Sequence, residues 1–346
     1  MKYKLLGQRT GLPVSELALG TAIFGNAWGY GVDEAEIANI ISLYAEQGGN
    51  LIDTADTYQW GESEQLVGKM LKDKRNDFVI ASKYTRDTVA SPSLATLGNH
   101  RKNMVQAVEA SLKRLKTDRI DLYFAHMDDS YTPIEEVVRG LDDLVRAGKI
   151  VYGGLSNFPR VMHPAATLTN LRGWAPLVAV ELEYSLLQRA TERELLPMAE
   201  GFGLGVLAWS PLAGGLLTGK YRNGESGRAT ALKGSIPYEG SSLSEKVLDE
   251  LFAIANETST NPGQVALAWT MSKGVIPVIG PRTQTQLADN LKASELQLSP
   301  SQIDRLDQAS VIRQGYPYDL IYSADQRKAM TGNRLDLIEH PFKVVL

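Results

Sequence analysis

Polar side chains stand at or just beyond the ends of three apolar segments of this chain. Asp53 follows NLI in NLIDTADTY, Lys83 follows FVIAS and His126 closes IDLYFAH, while Tyr58 lies in the same motif as Asp53. A buried unpaired charge is costly, so strands seldom keep such groups without a task. If the segments are neighbouring parallel strands, their ends bring together a carboxylate, a phenol, an ammonium and an imidazole. A phenol beside a Lys–Asp pair is predicted to be a proton donor of lowered pKa, which the reduction of a carbonyl group requires.

The segments that would position these groups alternate between short apolar runs and amphipathic stretches. Residues 134–145 carry a helical apolar stripe, Asp33 is a candidate cap for a helix over 34–46, and Pro133 is expected at the first position of another helix. Eight strands separated by helices predict the α/β class with a (β/α)8 (TIM) barrel. A doubly wound sheet is the alternative, which is disfavoured because no G-x-G-x-x-G follows the first strand. The apolar runs begin near Leu17, Asn50, Phe78, Ile120, Ile150, Val178, Leu204 and Val275.

The ends of the chain and two loops depart from this repeat. The segment KLLGQRTGLPVSEL predicts an N-terminal β-hairpin that turns near residues 9–11 and plugs the barrel floor. A single domain, 1–346, is expected, with its barrel over about 17–312 and a C-terminal tail over 313–346. The long loops 85–100 and 221–243 follow the third and seventh strands. They therefore fall on the carboxyl-terminal face, where barrel enzymes build their active sites.

Composition disfavours several classes of function. The 346 residues are 43% hydrophobic and 22% charged, as in ordinary globular proteins, and contain no cysteine, which excludes disulfides and thiolate metal sites. The formal charge of −4 argues against nucleic-acid binding, and no stretch of about 18 apolar residues predicts a membrane span. The first residues lack the apolar core of a signal peptide, so a cytoplasmic location is expected. His100, His163 and His340 show no ligand spacing, so no metal site is expected.

Five motifs in a fixed order resemble a known superfamily. DTADTY, IASK, DLYFAH, GLSNF and SPLAGGLLTGKY are similar to motifs of the aldo-keto reductases, over about residues 3–312. The chain most resembles the branch that contains bacterial ketone and sugar-related reductases and potassium-channel β subunits. The resemblance implies that Tyr58 is the general acid, that Lys83 and Asp53 tune it, and that His126 orients the carbonyl group. The plain alternative is a Lys83–Asp53 pair that only braces the barrel, although buried pairs stabilise poorly and Tyr58 would then be unexplained.

The resemblance also implies a nicotinamide cofactor, NADP(H), extended across the barrel mouth. Ser156 and Asn157 match the residues that hold the carboxamide, and Trp209 matches the aromatic that stacks on the nicotinamide. Arg282, near the ribose, suggests a 2′-phosphate. Arg228 resembles a clamp arginine, so the loop 221–243 is expected to fold over the cofactor; a solvated loop charge is the alternative. The residues implied along the cofactor are Gly20, Thr21, Asp53, Ser156, Asn157, Glu181 and Trp209, then Ser210, Pro211, Leu212 and Lys220 at the pyrophosphate, and Gly280, Arg282, Gln286, Asp289 and Asn290 at the adenosine.

Glu181 departs from the family, since relatives usually carry Gln at this place in VAVELEYS. A carboxylate accepts the amide N–H of the carboxamide but cannot donate to its oxygen, so Asn157 is expected to supply that donor. An ionised Glu181 would also lie favourably near the oxidised, cationic ring. Trp28 and Trp60 follow the first two strands and are candidate pocket walls, suited equally to a sugar ring or an aromatic ketone. For either tryptophan, the alternative is that its ring packs under a loop and does not line the pocket.

The favoured function is the reversible, NADPH-dependent reduction of an aldehyde or ketone to an alcohol, with a small-molecule carbonyl compound as the partner. One alternative is an NADPH-binding regulatory subunit that senses redox state and turns over slowly, as the channel β subunits do. A Schiff-base aldolase is a further alternative, but Lys83 beside Asp53 would stay charged and could not attack a carbonyl. The sequence leaves open the substrate, the direction and the oligomeric state, a homo-oligomer included.

Overall fold

Eight parallel strands form a closed barrel in the computed structural model of the chain, which describes residues 1–89, 91–225, 227 and 241–338. Two short strands, β1 (Tyr3–Leu5) and β2 (Pro13–Ser15), come before the barrel. Neighbouring barrel strands pair in chain order, and the last closes against the first, which confirms the predicted (β/α)8 architecture. The barrel strands are β3 (Ala18–Gly20), β4 (Leu51–Asp53), β5 (Val79–Tyr84), β6 (Ile120–Ala125), β7 (Ile150–Ser156), β8 (Leu177–Glu183), β9 (Gly205–Trp209) and β10 (Ile276–Ile279).

Helices lie between the strands and after the last of them. They are α1 (Glu34–Glu46), α2 (Glu62–Met70), α3 (Arg101–Leu115), α4 (Ile134–Arg146), α5 (Met162–Arg172), α6 (Leu195–Gly201), α7 (Ser242–Thr258), α8 (Pro262–Ser272), α9 (Gln284–Leu291) and α10 (Pro300–Ala309). Asp33 caps α1 as expected, because its carboxylate accepts the N–H of Glu36 at 2.9 Å. Pro133 is the N-cap of α4 rather than its first residue, so that helix begins one position later than predicted.

The N-terminal hairpin closes the amino-terminal end of the barrel. Its strands β1 and β2 pair antiparallel, and Leu6 and Val14 are fully buried among the inward-facing apolar side chains of the barrel strands. Gly7 has a φ of +70°, and a Cβ there would lie 2.4 Å from the backbone nitrogen of Gly205 at the start of β9. A side chain at Gly7 would therefore push the hairpin off the barrel. The plug predicted for the barrel floor is present.

Residues beyond α10 run toward the opposite, carboxyl-terminal face. They include two short helices, α11 (Tyr318–Ile321) and α12 (Ala324–Thr331). The guanidinium of Arg193 donates to the carbonyl of Arg313, and the hydroxyl of Tyr318 contacts the carboxylate of Glu194. Arg193 and Glu194 belong to the connection after β8, so this tail is anchored beside the loops that surround the barrel mouth. In the described part of the chain, no helix is long and apolar enough to cross a membrane.

Candidate active site

The four side chains singled out in the sequence meet at the carboxyl-terminal end of the barrel. Asp53 is the last residue of β4, Lys83 is the fifth of the six residues of β5, and His126 follows β6 directly. Tyr58 lies in the short turn after β4. Parallel pairing of β4 with β5 and of β5 with β6 sets these strand ends side by side. The convergence expected from the strand ends is therefore what the barrel produces.

Lys83 is the centre of this cluster. Its ammonium lies 2.5 Å from Oδ1 of Asp53, 3.0 Å from the carbonyl of Thr54 and 3.4 Å from the hydroxyl of Tyr58. The side chain of Lys83 is wholly buried. Burial alone would lower the pKa of Lys83, but the carboxylates of Asp53 and Glu181 outweigh it, so its pKa is raised and the amine stays charged. A charged lysine cannot form a Schiff base, which argues against an aldolase.

The pKa of Tyr58 runs against the expectation of a lowered value. Burial raises it, and the nearby carboxylates of Asp53 and Glu181 add to that rise. Lys83 acts in the expected direction, since a cation favours the phenolate, but its effect is smaller than that of burial. In this state of the site the phenol therefore keeps its proton firmly. The sequence revealed the cation but not the depth at which the tyrosine is buried.

His126 faces Tyr58 as a neutral imidazole. The two ring centres are 5.8 Å apart and the rings meet edge to face, at 77°. Burial lowers the pKa of His126 well below its usual value, and the positive charges of Lys83 and Arg86 lower it further. Its Nδ1 is buried and finds no hydrogen-bond partner within the described part of the chain. The Tyr58 ring thus lies against an uncharged imidazole, one nitrogen of which is buried without a partner among the described residues.

Glu181 joins the cluster from β8, across the barrel. Its Oε1 lies 3.3 Å from the ammonium of Lys83, and its side chain is 2% exposed. Burial and the charge of Asp53 raise the pKa of Glu181 to about 8. Burial also raises the pKa of Asp53, although Lys83 opposes that rise. Two carboxyl groups therefore compete for one ammonium, an arrangement that the sequence did not reveal because the contact spans the barrel.

Polar groups at the ends of β7 and β9 form the next part of the site. The amide nitrogen of Asn157 donates to the hydroxyl of Ser156 at 2.9 Å and to the carbonyl of His126 at 3.1 Å. The indole N–H of Trp209 donates to the amide oxygen of Asn157 at 3.2 Å. Both amide hydrogens of Asn157 are thus engaged, which contradicts the expectation that it is the available donor. Ser156 accepts from Asn157 and keeps its own hydroxyl hydrogen for another acceptor.

Gly20 and Thr21 lie beside Asp53, at the end of β3. Gly20 pairs with Asp53, and a Cβ on Gly20 would lie 2.8 Å from the side chain of Val278. The buried hydroxyl of Thr21 donates to the carbonyl of Asp53 at 3.0 Å. These two residues therefore hold the end of β4, and with it the carboxylate that contacts Lys83.

Two cations lie where the phosphate end of a cofactor was expected. The guanidinium of Arg282 is 4.6 Å from the centre of the Tyr30 ring, and the backbone N–H of Arg282 donates to Gln286 at 2.9 Å. Burial lowers the pKa of Lys220; Glu225 opposes that fall, and the positive charge of Arg282 adds to it. Neither cation forms a salt bridge among the residues that the structure describes. Ser210, Pro211 and Leu212 follow β9 directly, and Ser210 has a φ of +52°.

The residues expected at the adenosine end follow β10. Gly280 is exposed directly after that strand, and Asn290 is half-buried near the end of α9. Both oxygens of Asp289 accept from the amide of Asn261 at 2.9 Å, and Oδ1 also accepts from Gln264 at 2.8 Å. Asp289 therefore joins α9 to the start of α8, and its capacity for a ligand is largely used. Arg228, on the loop 221–243, lies outside the described residues.

Trp28 and Trp60 stand beside Tyr58. The ring of Trp28 lies 6.4 Å from that of Tyr58 and 6.3 Å from that of Trp60, edge to face in both cases. Trp60 is 41% exposed and Trp28 is half-buried, so both rings reach the mouth of the barrel rather than its core.

Trp28 and Trp60 form an aromatic wall at the barrel mouth. Sequence reasoning missed the residue that holds this aromatic wall in place. The buried Gln59 accepts the N–H of Trp28 at 2.8 Å and donates to the carbonyl of Tyr30 at 3.0 Å. Glu62 accepts the N–H groups of Asn26 and Ala27 at 2.8 and 3.0 Å. The only signal was position, since Gln59 directly follows Tyr58. No group of His, Asp or Glu side chains able to hold a metal ion occurs among the described residues.

Comparisons with known proteins agree with this geometry. The model of the aldo/keto reductase family matches residues 16–311. Norsolorinic acid reductase of Aspergillus flavus is 34% identical over 344 residues, covering 95% of this chain and 86% of that protein. The aryl-alcohol dehydrogenase (NADP(+)) of Phanerodontia chrysosporium is 31% identical, covering 92% of this chain and 88% of its own. A protein named as a voltage-gated potassium channel subunit beta in Schizosaccharomyces pombe is 35% identical, with coverage of 88% and 92%. The family match spans the whole barrel, and the chain belongs to the aldo/keto reductase family of oxidoreductases.

Proposed function

We propose that the protein catalyses the reversible, NADPH-dependent reduction of an aldehyde or ketone to an alcohol. The observation that carries this proposal is the placement of the Tyr58 hydroxyl 3.4 Å from the Lys83 ammonium, at the barrel mouth. Lys83 is in turn held charged by Asp53 at 2.5 Å. A phenol that donates to a substrate oxygen becomes a phenolate, and a cation at this distance stabilises that product.

Each residue of the cluster has a distinct part in this chemistry. Tyr58 gives its proton to the oxygen of the carbonyl group as negative charge develops there. Lys83 stabilises the phenolate that remains, and Asp53 fixes the ammonium in place. His126, neutral and edge to face with Tyr58, offers a ring nitrogen to the same oxygen and orients the substrate. The cofactor, when bound, supplies the hydride that reduces the carbon.

The residues present suit a phosphorylated nicotinamide cofactor. Lys220 and Arg282 are both cations, and the positive charge of Arg282 contributes to the lowered pKa of Lys220, so a phosphate beside them would be attracted by both. Ser156 has a hydroxyl hydrogen to offer a carboxamide oxygen, and Trp209 is fixed by its bond to Asn157. The Phanerodontia chrysosporium relative is named as an NADP(+) enzyme, which supports NADP(H) rather than NAD(H).

The substrate class follows from the aromatic wall. Trp28 and Trp60 stand at the barrel mouth next to the proton donor, which suits a small carbonyl compound with a flat apolar ring or a sugar face. The names of the norsolorinic acid and aryl-alcohol relatives favour the aromatic choice. We therefore propose aromatic aldehydes and ketones as the first substrates to try.

The deciding experiment is a screen of aromatic and aliphatic carbonyls with NADPH and NADH, followed by the absorbance of the reduced nicotinamide. The wild-type protein should turn over at least some aromatic carbonyls with NADPH. Tyr58→Phe keeps the ring against Trp28 but has no proton to give, so kcat should fall by at least about 10²-fold while the cofactor still binds. A variant that keeps most of its turnover would remove Tyr58 from its proposed role.

A regulatory subunit with slow turnover is the second candidate, favoured by the potassium channel relative. It predicts tight NADPH binding with little reduction of any carbonyl tested. The same screen separates the two functions, because cofactor binding and turnover are measured on one sample.

A further inference from the structure

Two carboxyl groups share the single ammonium of Lys83. Asp53 lies 2.5 Å from it and Glu181 lies 3.3 Å from it, and all three side chains are at most 3% exposed. If both carboxyls were ionised, a net negative charge would be buried in the barrel, which is costly. One proton on the pair leaves one carboxylate beside one ammonium and makes the group neutral.

Glu181 is the better place for that proton. Asp53 holds the shorter contact with Lys83, which favours its ionised form. Oε2 of Glu181 is buried and finds no donor among the described residues, while both carboxyl groups lie against the same ammonium. A proton on Glu181 would remove the repulsion between two buried carboxylates and make Oε2 a donor or a neutral acceptor. The rise of its pKa to about 8 agrees with this assignment.

We propose that Glu181 is a proton store linked to the oxidation state of the cofactor: it keeps its proton with the reduced, neutral nicotinamide and releases it when the oxidised, cationic ring binds. This inference rests on the proposed function, in which Ser156 meets the carboxamide of the nicotinamide; Glu181 is the register partner of Ser156 on the neighbouring strand. A positive ring favours a carboxylate next to it, in the same way that a cation lowers the pKa of any neighbouring acid. Oxidised cofactor binding should then be coupled to proton release.

The other groups that face Glu181 do not titrate near neutral pH. The pKa values of Lys83, from β5, and Tyr58, from the turn after β4, are both raised, and that of His126, after β6, lies well below its usual range. The register partners of Glu181 on the flanking strands are Ser156 and Leu207, which carry no charge. The remaining acid, Asp53, is the group with which Glu181 shares the single proton.

Glu183 lies two positions further along β8, and burial raises its pKa as well. It makes no salt bridge with Lys83 among the described residues, which makes it a matched control. Its replacement removes a nearby carboxyl group of the same strand without touching the pair that shares the proton.

The test compares the dissociation constants of NADP+ and NADPH, titrated by tryptophan fluorescence between about pH 6 and about pH 9.5. Their ratio removes the titration of the cofactor phosphates, which are common to both forms. For the wild type the ratio Kd(NADP+)/Kd(NADPH) should fall with rising pH, by up to about tenfold per pH unit, and level off above about pH 8. Calorimetry in two buffers of different ionisation enthalpy should detect a proton released on binding NADP+ and none on binding NADPH.

Glu181→Gln keeps the shape of the side chain but has no proton to lose, so the ratio should become flat and the proton release should vanish. Glu183→Gln should keep the wild-type slope. A flat ratio in the wild type, or a slope that survives Glu181→Gln, would overturn the inference. The wild-type titration requires no variant, so a flat wild-type ratio would overturn the inference even if a variant failed to fold. Failure to bind either cofactor would instead overturn the proposed function and this inference together.

Discussion

Among single side chains, Lys83 carries the most connections. Its ammonium contacts Asp53, the carbonyl of Thr54, Tyr58 and Glu181 within 3.4 Å. Any change to this one cation alters the ionisation of every acid around it. For that reason its effects cannot be separated from those of its partners, and variants must be read in combination.

Lys83→Met keeps the length of the side chain and removes the charge. Carbonyl reduction should fall to a similar degree as in Tyr58→Phe, because the phenolate then has no cation beside it. The double variant should lose little more than either single variant, since both act on one proton transfer. The measurement is kcat for the three variants with one carbonyl substrate. Losses that multiply would mean that Lys83 and Tyr58 do not act as a unit.

Glu181 also predicts how stability depends on pH. Its pKa rises from 4.5 to about 8 on folding, so the folded state holds the proton over that range and the unfolded state has lost it. Stability supplied by this proton is complete below about pH 4.5 and is lost as the pH rises through about 8. The free energy of unfolding of Glu181→Gln should therefore rise relative to that of the wild type, by up to about 1.4 kcal/mol per pH unit across this window. Denaturant melts at a series of pH values measure the difference; a constant difference would refute it.

Among the structural elements, the strand ends share a strained backbone. Gln59, Trp60, Thr85, Asn157 and Ser210 all have positive φ although none is glycine, and each follows a barrel strand at the carboxyl-terminal face. Such conformations persist only where surrounding contacts hold them, and they cluster at functional sites. Here they turn side chains back toward the barrel mouth, which is how Asn157 reaches Trp209 and how Gln59 reaches the loop after β3.

Gln59 should matter for large substrates more than for small ones. Gln59→Ala removes the partners of three backbone groups in residues 22–30, at a cost of about 1–3 kcal/mol, and should loosen the position of Trp28. KM for an aromatic ketone should rise by about tenfold, while a small aliphatic aldehyde should change little. Steady-state kinetics with both substrates measure this split. Glu62→Gln, which keeps an acceptor for the same loop, is the matched control and should stay near the wild type; equal shifts for both substrates would count against the role of Gln59.

The turn after β10 should decide between the two nicotinamide cofactors. Arg282 makes no salt bridge with any described residue and lies over the Tyr30 ring, so its guanidinium is available for the proposed 2′-phosphate of NADPH. Charge-assisted bonds are worth roughly 1.5–3 kcal/mol, so Arg282→Ala should weaken NADPH by about 10- to 100-fold and barely change NADH. Lys220→Met should weaken both, because the pyrophosphate is common to them. Fluorescence titrations measure all four affinities, and equal weakening of both cofactors by Arg282→Ala would remove the arginine from the 2′ position.

For the molecule as a whole, local pattern predicted the barrel and the meeting of Asp53, Lys83 and His126, because strand ends can be seen in apolar runs. It could not predict that Glu181 reaches the same ammonium, since that contact crosses the barrel between β5 and β8. The pKa of Tyr58 was predicted in the wrong direction because a short motif shows which charged residues are near the tyrosine but not how deeply its side chain is buried. Gln59 was missed for a related reason: its three partners lie 29 to 37 positions away.

The hairpin at the barrel floor has a consequence for the timing of events at the site. Leu6 and Val14 are fully buried among the inward-facing side chains of the barrel, so in the described part of the chain the hairpin closes the amino-terminal end. Under the proposed function, cofactor and carbonyl compound would both use the carboxyl-terminal opening, past the rings of Trp28 and Trp60 or beside Lys220 and Arg282. Whichever molecule lies deeper has to arrive first and leave last. Under the proposed function, the order of binding and release would then depend on Leu6 and Val14, two buried apolar side chains at the end of the barrel far from the proposed chemistry.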